Sequence, residues 1–288
     1  MQRSDSSLHS LVQQGDVAGV EERLRQGAEV AAPDGAGHTP LMLAARSDLA
    51  GVDMLRLLVR YGADVNAIES PPLPPPMPSM DWMEDLPEEY RKSLPDFSGG
   101  GNPFISPHQY PVLYFALEGS DQAKIEYLLD AGADLYYRRP AGYDVLIDAA
   151  YRLRPEKRLT IMEQLIERGA PVDGRSRYGE SALSQASFMA DFEVVQLLLR
   201  AGADEEQLRW TPLMYAAVFG REEDFNHFLQ KHGYEAQRDR YGRTAFLLAG
   251  QCGSLEKVHA CLAAGADLEE RDSRVKTARM YAAARNDA

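Results

Sequence analysis

The chain has 288 residues, room for two ordinary domains or one extended array, and 31 Lys and Arg against 44 Asp and Glu leave a formal net charge of −13. That balance argues against a nucleic-acid binder, which needs a basic face, and no window approaches the roughly 18 consecutive apolar residues of a membrane span. The first residues, MQRSDSSLHS, lack the apolar centre of a secretory leader, and two cysteines cannot make a disulfide framework. The expectation is a soluble, cytoplasmic protein with no membrane, nucleic-acid or cofactor partner.

Residues 1–7 read as a tail. From Leu8 onward the chain repeats itself, which is visible as a Gly-Ala pair closing each apolar run. The pair stands at Gly27-Ala28, Gly62-Ala63, Gly132-Ala133, Gly169-Ala170, Gly202-Ala203 and Gly265-Ala266, with Gly233-Tyr234 as a variant. Successive glycines lie 31–37 residues apart, except for one doubled interval of 70 between Gly62 and Gly132. Each period opens a helix on a capping side chain: Thr39, Asp144, Ser181, Thr211, Thr244 or Thr277. Pro40 and Pro212 follow two of these caps, where a missing N–H costs nothing. A second helix then carries an apolar stripe, as in Leu55, Leu57 and Leu58, and stops at the glycine.

The stretches GHTPLMLAA (37–45), LLVRYGADVNA (57–67), YGESALSQA (178–186), WTPLMYAA (210–217) and YGRTAFLLA (241–249) resemble the ankyrin repeat family. The resemblance covers roughly 8–67 and 110–288. It implies an all-α solenoid of helix pairs joined by β-turn fingers, in which neighbouring repeats share one core. The expected repeats are a degenerate one at 8–30, then 34–67, 110–136, 139–173, 176–204, 206–235 and 239–269, with a half-repeat cap at 272–288. Three departures stand out: Tyr110-Pro111 replaces a Thr cap, RLRPEKRLT (152–160) adds residues between two helices, and the finger before Trp210 is about three residues short.

Residues 68–109 interrupt the array and hold ten of the 17 prolines, a density that argues against a hidden helical repeat. PPLPPP (71–76) reads as polyproline, GGG (99–101) as a joint, and MDWMEDLPEEYRKSL (80–94) as a short amphipathic helix. Three readings stay open for this insertion: it covers its own stack, it grips a partner through Trp82, Met83 and Leu86, or its prolines serve an SH3-type domain.

No catalytic constellation emerges. His227 and His232 are five apart, off the i, i+4 spacing of a helical zinc pair, and Cys261 falls on an apolar stripe as a small core hydrophobe. No P-loop, GxGxxG or GxSxG pattern occurs, so no enzyme is predicted.

The family resemblance implies that finger tips and first-helix ends project to a concave face. Read in that register, the candidates are Tyr143, Tyr151, Arg177, Tyr178, Phe188, Met189, Trp210, Tyr215, Phe219, Arg240, Tyr241 and Arg243. Aromatics, Met and Arg match the composition of interface cores, although packing between adjacent fingers would also account for them. The expected activity is capture of one folded protein, by a chain that is monomeric when free. Net −13 favours a partner with a basic patch. An immunity protein that blocks a bacterial toxin would fit; so would an adaptor or secreted effector tethering a cellular protein through the Pro-rich insertion.

Overall fold

A computed structural model describes residues 7–70 and 109–286. Among them fifteen α-helices form seven consecutive pairs and a final single helix. The pairs are α1 (Leu8–Gln13) with α2 (Val17–Arg25), α3 (Pro40–Arg46) with α4 (Val52–Arg60), and α5 (Val112–Gly119) with α6 (Gln122–Asp130). Next come α7 (Val145–Arg152) with α8 (Pro155–Glu167), α9 (Ala182–Phe188) with α10 (Phe192–Arg200), and α11 (Pro212–Phe219) with α12 (Glu222–His232). The last pair is α13 (Ala245–Cys252) with α14 (Leu255–Ala263), followed by α15 (Ala278–Asn286). Two compact units result, one ending at Gly179 and one beginning at Glu180.

Every predicted capping side chain accepts from the backbone three residues on. The distances run from 3.0 Å (Ile147 N–H to Asp144) to 3.4 Å (Met42 to Thr39 and Met280 to Thr277). Most first helices, α1 and α11 excepted, are buried nearly all round, as with Pro40 to Ala45 of α3 and Ala182 to Ser187 of α9. Small residues such as Ala44 and Ala45 let α1 and α5 approach α3 closely. The second helices bury one stripe only, such as Val194, Val195 and Leu198 of α10. In the first unit α1, α3, α5 and α7 pack in sequence, and α2, α4 and α6 run alongside. In the second unit α11, α13 and α15 pack in one row, and α12 lies against α14. Each large apolar side chain so buried contributes about 1.5–3 kcal/mol.

The recurring glycine ends the second helix for a backbone reason alone. Gly202 has φ +92°, and a Cβ there would meet nothing within 4 Å. Its N–H donates to Leu199 O at 3.1 Å and the Ala203 N–H to Leu198 O at 3.0 Å, the paired closure of a left-handed helix end. Gly202→Ala is therefore expected to cost about 1 kcal/mol with no change in contacts, measurable by urea unfolding.

A second device closes the first helices. Lys257, on α14, is buried, and its ammonium donates to Ala216 O (3.0 Å), Ala217 O (3.0 Å) and Gly220 O (2.7 Å) at the end of α11 in the preceding repeat. Lys124 of α6 does the same for Ala44 O (2.9 Å) and Ser47 O after α3. A cation at a helix C-terminus meets both the free carbonyls and the negative end of the dipole. Burial draws the pKa of Lys257 down, so its charge carries a desolvation cost that offsets part of this gain. Lys257→Met should then destabilise by about 2 kcal/mol, because three buried or half-buried carbonyls lose a donor; the unfolding midpoint reads it.

Across the doubled Gly62–Gly132 interval the described helices stack directly, α3 on α5 and α4 on α6. Chain ends meet there: Glu69 N–H donates to Tyr110 O (2.8 Å) and Val112 N–H to Ala67 O (3.1 Å), around an antiparallel Ile68–Pro111 bridge. The insertion thus leaves and re-enters at one point between repeats. The short helix read over 80–94 lies outside the described residues. The additional residues at 152–160 lengthen a helix rather than a connection: α8 starts on Pro155 and runs 13 residues, against nine in α4 or α10.

Candidate functional site

Three of the fingers are each held by their own carboxylate. Asp34, Asp239 and Asp272 accept from the N–H groups two and four residues on, all at 2.8–2.9 Å. Adjacent fingers add backbone bonds, Arg177 N–H to Ala141 O (2.8 Å) in the first unit and Ser273 N–H to Tyr241 O (2.9 Å) in the second. Side chains at the finger tips are therefore fixed at their roots.

In the first unit the fingers and first helices assemble a tyrosine–arginine cluster. Tyr110 and Tyr114 stack with centroids 3.8 Å apart, and Tyr143 lies 6.2 Å from Tyr151. The Arg139 guanidinium sits between them, 4.8 Å from the Tyr110 ring and 4.5 Å from Tyr143, while Arg152 lies 5.1 Å from Tyr114. Asp148 of α7 holds Arg139 from below in a two-pronged ion pair, its Oδ2 accepting from Nε at 3.0 Å. Burial raises the Asp148 pKa, with Arg139 pulling it back. Of the predicted residues, Tyr151 (37% exposed) and Tyr178 (74% exposed) are open to solvent, Arg177 is exposed, and Tyr143 is half-buried. Tyr110, Tyr114, Arg139, Arg152 and Asp148 were not among the predicted site residues. The signal for them was present in the Tyr110-Pro111 departure and in an Arg at the place of the finger Asp.

The second unit corrects several expectations. Trp210 is 9% exposed, its ring among Phe192 (6.2 Å), Tyr215 (5.2 Å) and Phe219 (6.1 Å), with its indole N–H donating to Asp239 Oδ2 at 3.3 Å. The cause is the short finger: a 3-10 turn at Glu205–Gln207 and a left-handed Arg209 (φ 54°) bring residue 210 down onto the helices. Tyr215 and Phe219 are half-buried in that cluster, and burial pushes the Tyr215 phenol up to about 12.

Arg243 is fully buried. It donates to Asp239 Oδ2 (2.8 and 2.6 Å), to Ser187 O and Oγ (2.6 Å each) and to Gln251 (3.0 Å), joining α9, its own finger and α13. Neither Trp210 nor Arg243 belongs to an open surface. Tyr241 is half-buried, its hydroxyl donating to Ser184 O (2.9 Å) and its ring 5.0 Å from Phe188. Arg240 lies 5.4 Å from the same ring. Phe188 is half-buried and Met189 is 40% exposed. Trp82 and Met83 lie outside the described residues.

Cys261 is buried, which pushes its thiol up to about 12. Among the described residues no group of three or more His, Cys, Asp or Glu is placed to hold a metal, and no helix is long and apolar enough to cross a membrane.

Paired helices closed by a left-handed glycine and linked by carboxylate-pinned fingers define a helical repeat protein. Family models agree: one for three copies of the ankyrin repeat matches residues 146–238 and 183–272, and one for a single ankyrin repeat matches 36–70. The chain belongs to the ankyrin repeat family. Among solved structures, it is similar to the ankyrin repeat domain of Bcl-3, described as a unique member of the IkappaB protein family. Identity is 22%, the TM-score is 0.51, and 96% of this chain and 94% of that one are covered. That likeness is one of fold. A search of curated proteins found no match. Ankyrin repeats are protein-interaction modules, and this chain is one.

Proposed function

We propose that the chain is a non-enzymatic binding protein that captures one folded protein through the tyrosine–arginine cluster of its first unit. One observation carries this reading. Tyr110, Tyr114, Tyr143, Tyr151, Arg139 and Arg152 all come from fingers and first helices, and their rings and guanidinium groups are held together with an open edge at Tyr151. Preorganised aromatics and arginines lose little entropy on binding and make the usual hot spots. The net charge of −13 would draw a basic partner from a distance, and the arginine forks would pair with carboxylates at contact. Blocking a toxin-like protein stoichiometrically, as an immunity protein does, is the specific form of this reading.

A pull-down from native extract supplies the partner. Tyr151→Ala with Tyr178→Ala should then weaken its affinity by about 2 kcal/mol per residue, with an unchanged unfolding midpoint. Unchanged affinity in that variant, with loss on deleting residues 71–107, would move the contact to the Pro-rich insertion and favour the adaptor or effector role.

A further inference from the structure

The second unit holds an open hollow of about 510 Å³ beside α13 and α15 whose lining differs in charge from the rest of the chain. Phe188, Met189 and Tyr281 supply apolar walls, Gln251 one polar amide, and Arg274 and Lys276 the charges; no Asp or Glu lines it. The protein as a whole is −13. Arg274 is held in place, its guanidinium 4.2 Å from the Phe188 ring, one nitrogen donating to Tyr281 OH (3.0 Å) and another 3.5 Å from Asp272. Asp272 lies underneath, buried, and its acceptors are taken by two finger N–H groups and the Tyr281 hydroxyl. Lys276 lies 5.7 Å from the Tyr281 ring, and its ammonium meets no carboxylate among the described residues.

Resting on the protein-binding reading above, we infer that this hollow receives an acidic, extended peptide segment of the captured protein, with a carboxylate at Arg274 and Lys276 and an apolar side chain on Phe188 and Met189. Charge complementarity selects that occupant. A short segment presents one or two carboxylates to a local cationic lining, whereas a polynucleotide would bring its whole charge against an acidic chain. The volume suits a few side chains and no folded domain.

The test uses the full chain and three fluorescein-labelled probes read by anisotropy. They are a peptide alternating Glu with Leu, its twin with Lys for every Glu, and a single-stranded oligonucleotide of similar length. The Glu peptide should bind at least tenfold more tightly than either other probe, and its affinity should fall as salt rises. Lys276→Gln should weaken it severalfold, and Arg274→Gln with Lys276→Gln tenfold or more. The unfolding midpoint of Lys276→Gln, whose side chain makes no contact among the described residues beyond the edge of the Tyr281 ring, should move little. Equal binding of both peptides, an oligonucleotide bound as tightly, no binding of the Glu peptide, or an affinity indifferent to Lys276→Gln would each overturn the inference. Tyr151→Ala with Tyr178→Ala should leave peptide binding unchanged. Loss of the native partner in that variant, alongside a failed peptide test, would retire the hollow and keep the tyrosine–arginine surface.

Discussion

Arg243→Met is expected to lower the unfolding free energy by about 3 kcal/mol, and Asp239→Ala by more, about 5 kcal/mol. The pair is fully desolvated, with side-chain exposures of 1% and 0%. Its two halves are not equivalent. Without Arg243, the Asp239 carboxylate still receives N–H groups from Tyr241, residue 243 and Trp210, while Ser187 and Gln251 lose a donor. Without Asp239, a guanidinium remains buried with neutral partners only, the finger loses both of its anchoring bonds, and the indole loses its acceptor. Removing one partner of a buried pair costs more than the pair itself is worth, because the survivor stays charged and out of water. Urea unfolding followed by circular dichroism checks both values, as a lower midpoint at unchanged slope. Equal losses in the two variants would show that the carboxylate has no role beyond the ion pair.

Trp210→Ala should cost about 3–5 kcal/mol, the range for deleting a large ring from a packed site, with Trp210→Phe far milder at about 1 kcal/mol. The difference separates ring packing from the single indole bond to Asp239. Fluorescence gives an independent reading, since the chain has two tryptophans and Trp82→Phe leaves Trp210 alone. Its emission should be blue-shifted in the native protein and move to the red on unfolding. Emission already at the position of free indole in water would place the ring outside its cluster.

Both residues were assigned to a binding face from register, and their burial explains what register conveys. The repeat pattern fixes which turn and which side a residue occupies, so the helix starts at Thr39, Asp144 and Ser181 and the stop at Gly202 follow from local chemistry that needs no neighbour. Depth is a different quantity. Trp210 and Tyr178 hold related finger positions, yet one is 9% and the other 74% exposed, because the chain before Trp210 lacks the residues that would lift it clear. Lys124 and Lys257 escaped notice for the converse reason. A lysine in the first turn of an amphipathic helix reads as solvated, and its carbonyl partners belong to the preceding repeat, or in Lys124's case lie 77 to 80 positions away across the insertion. The tyrosine–arginine cluster was visible only in part, since Tyr110-Pro111 replaces the usual Thr cap and Arg139 stands where other fingers carry Asp.

The tie between Ile68 and Pro111 has an engineering consequence. Because both sides of the seam are secured by backbone bonds, the chain is pinned there before it leaves and after it returns. Lengthening such a loop costs only about 0.6 kcal/mol per doubling. The seam is thus a ready graft point, where a reporter or a foreign epitope could be carried while the scaffold around it keeps its registry.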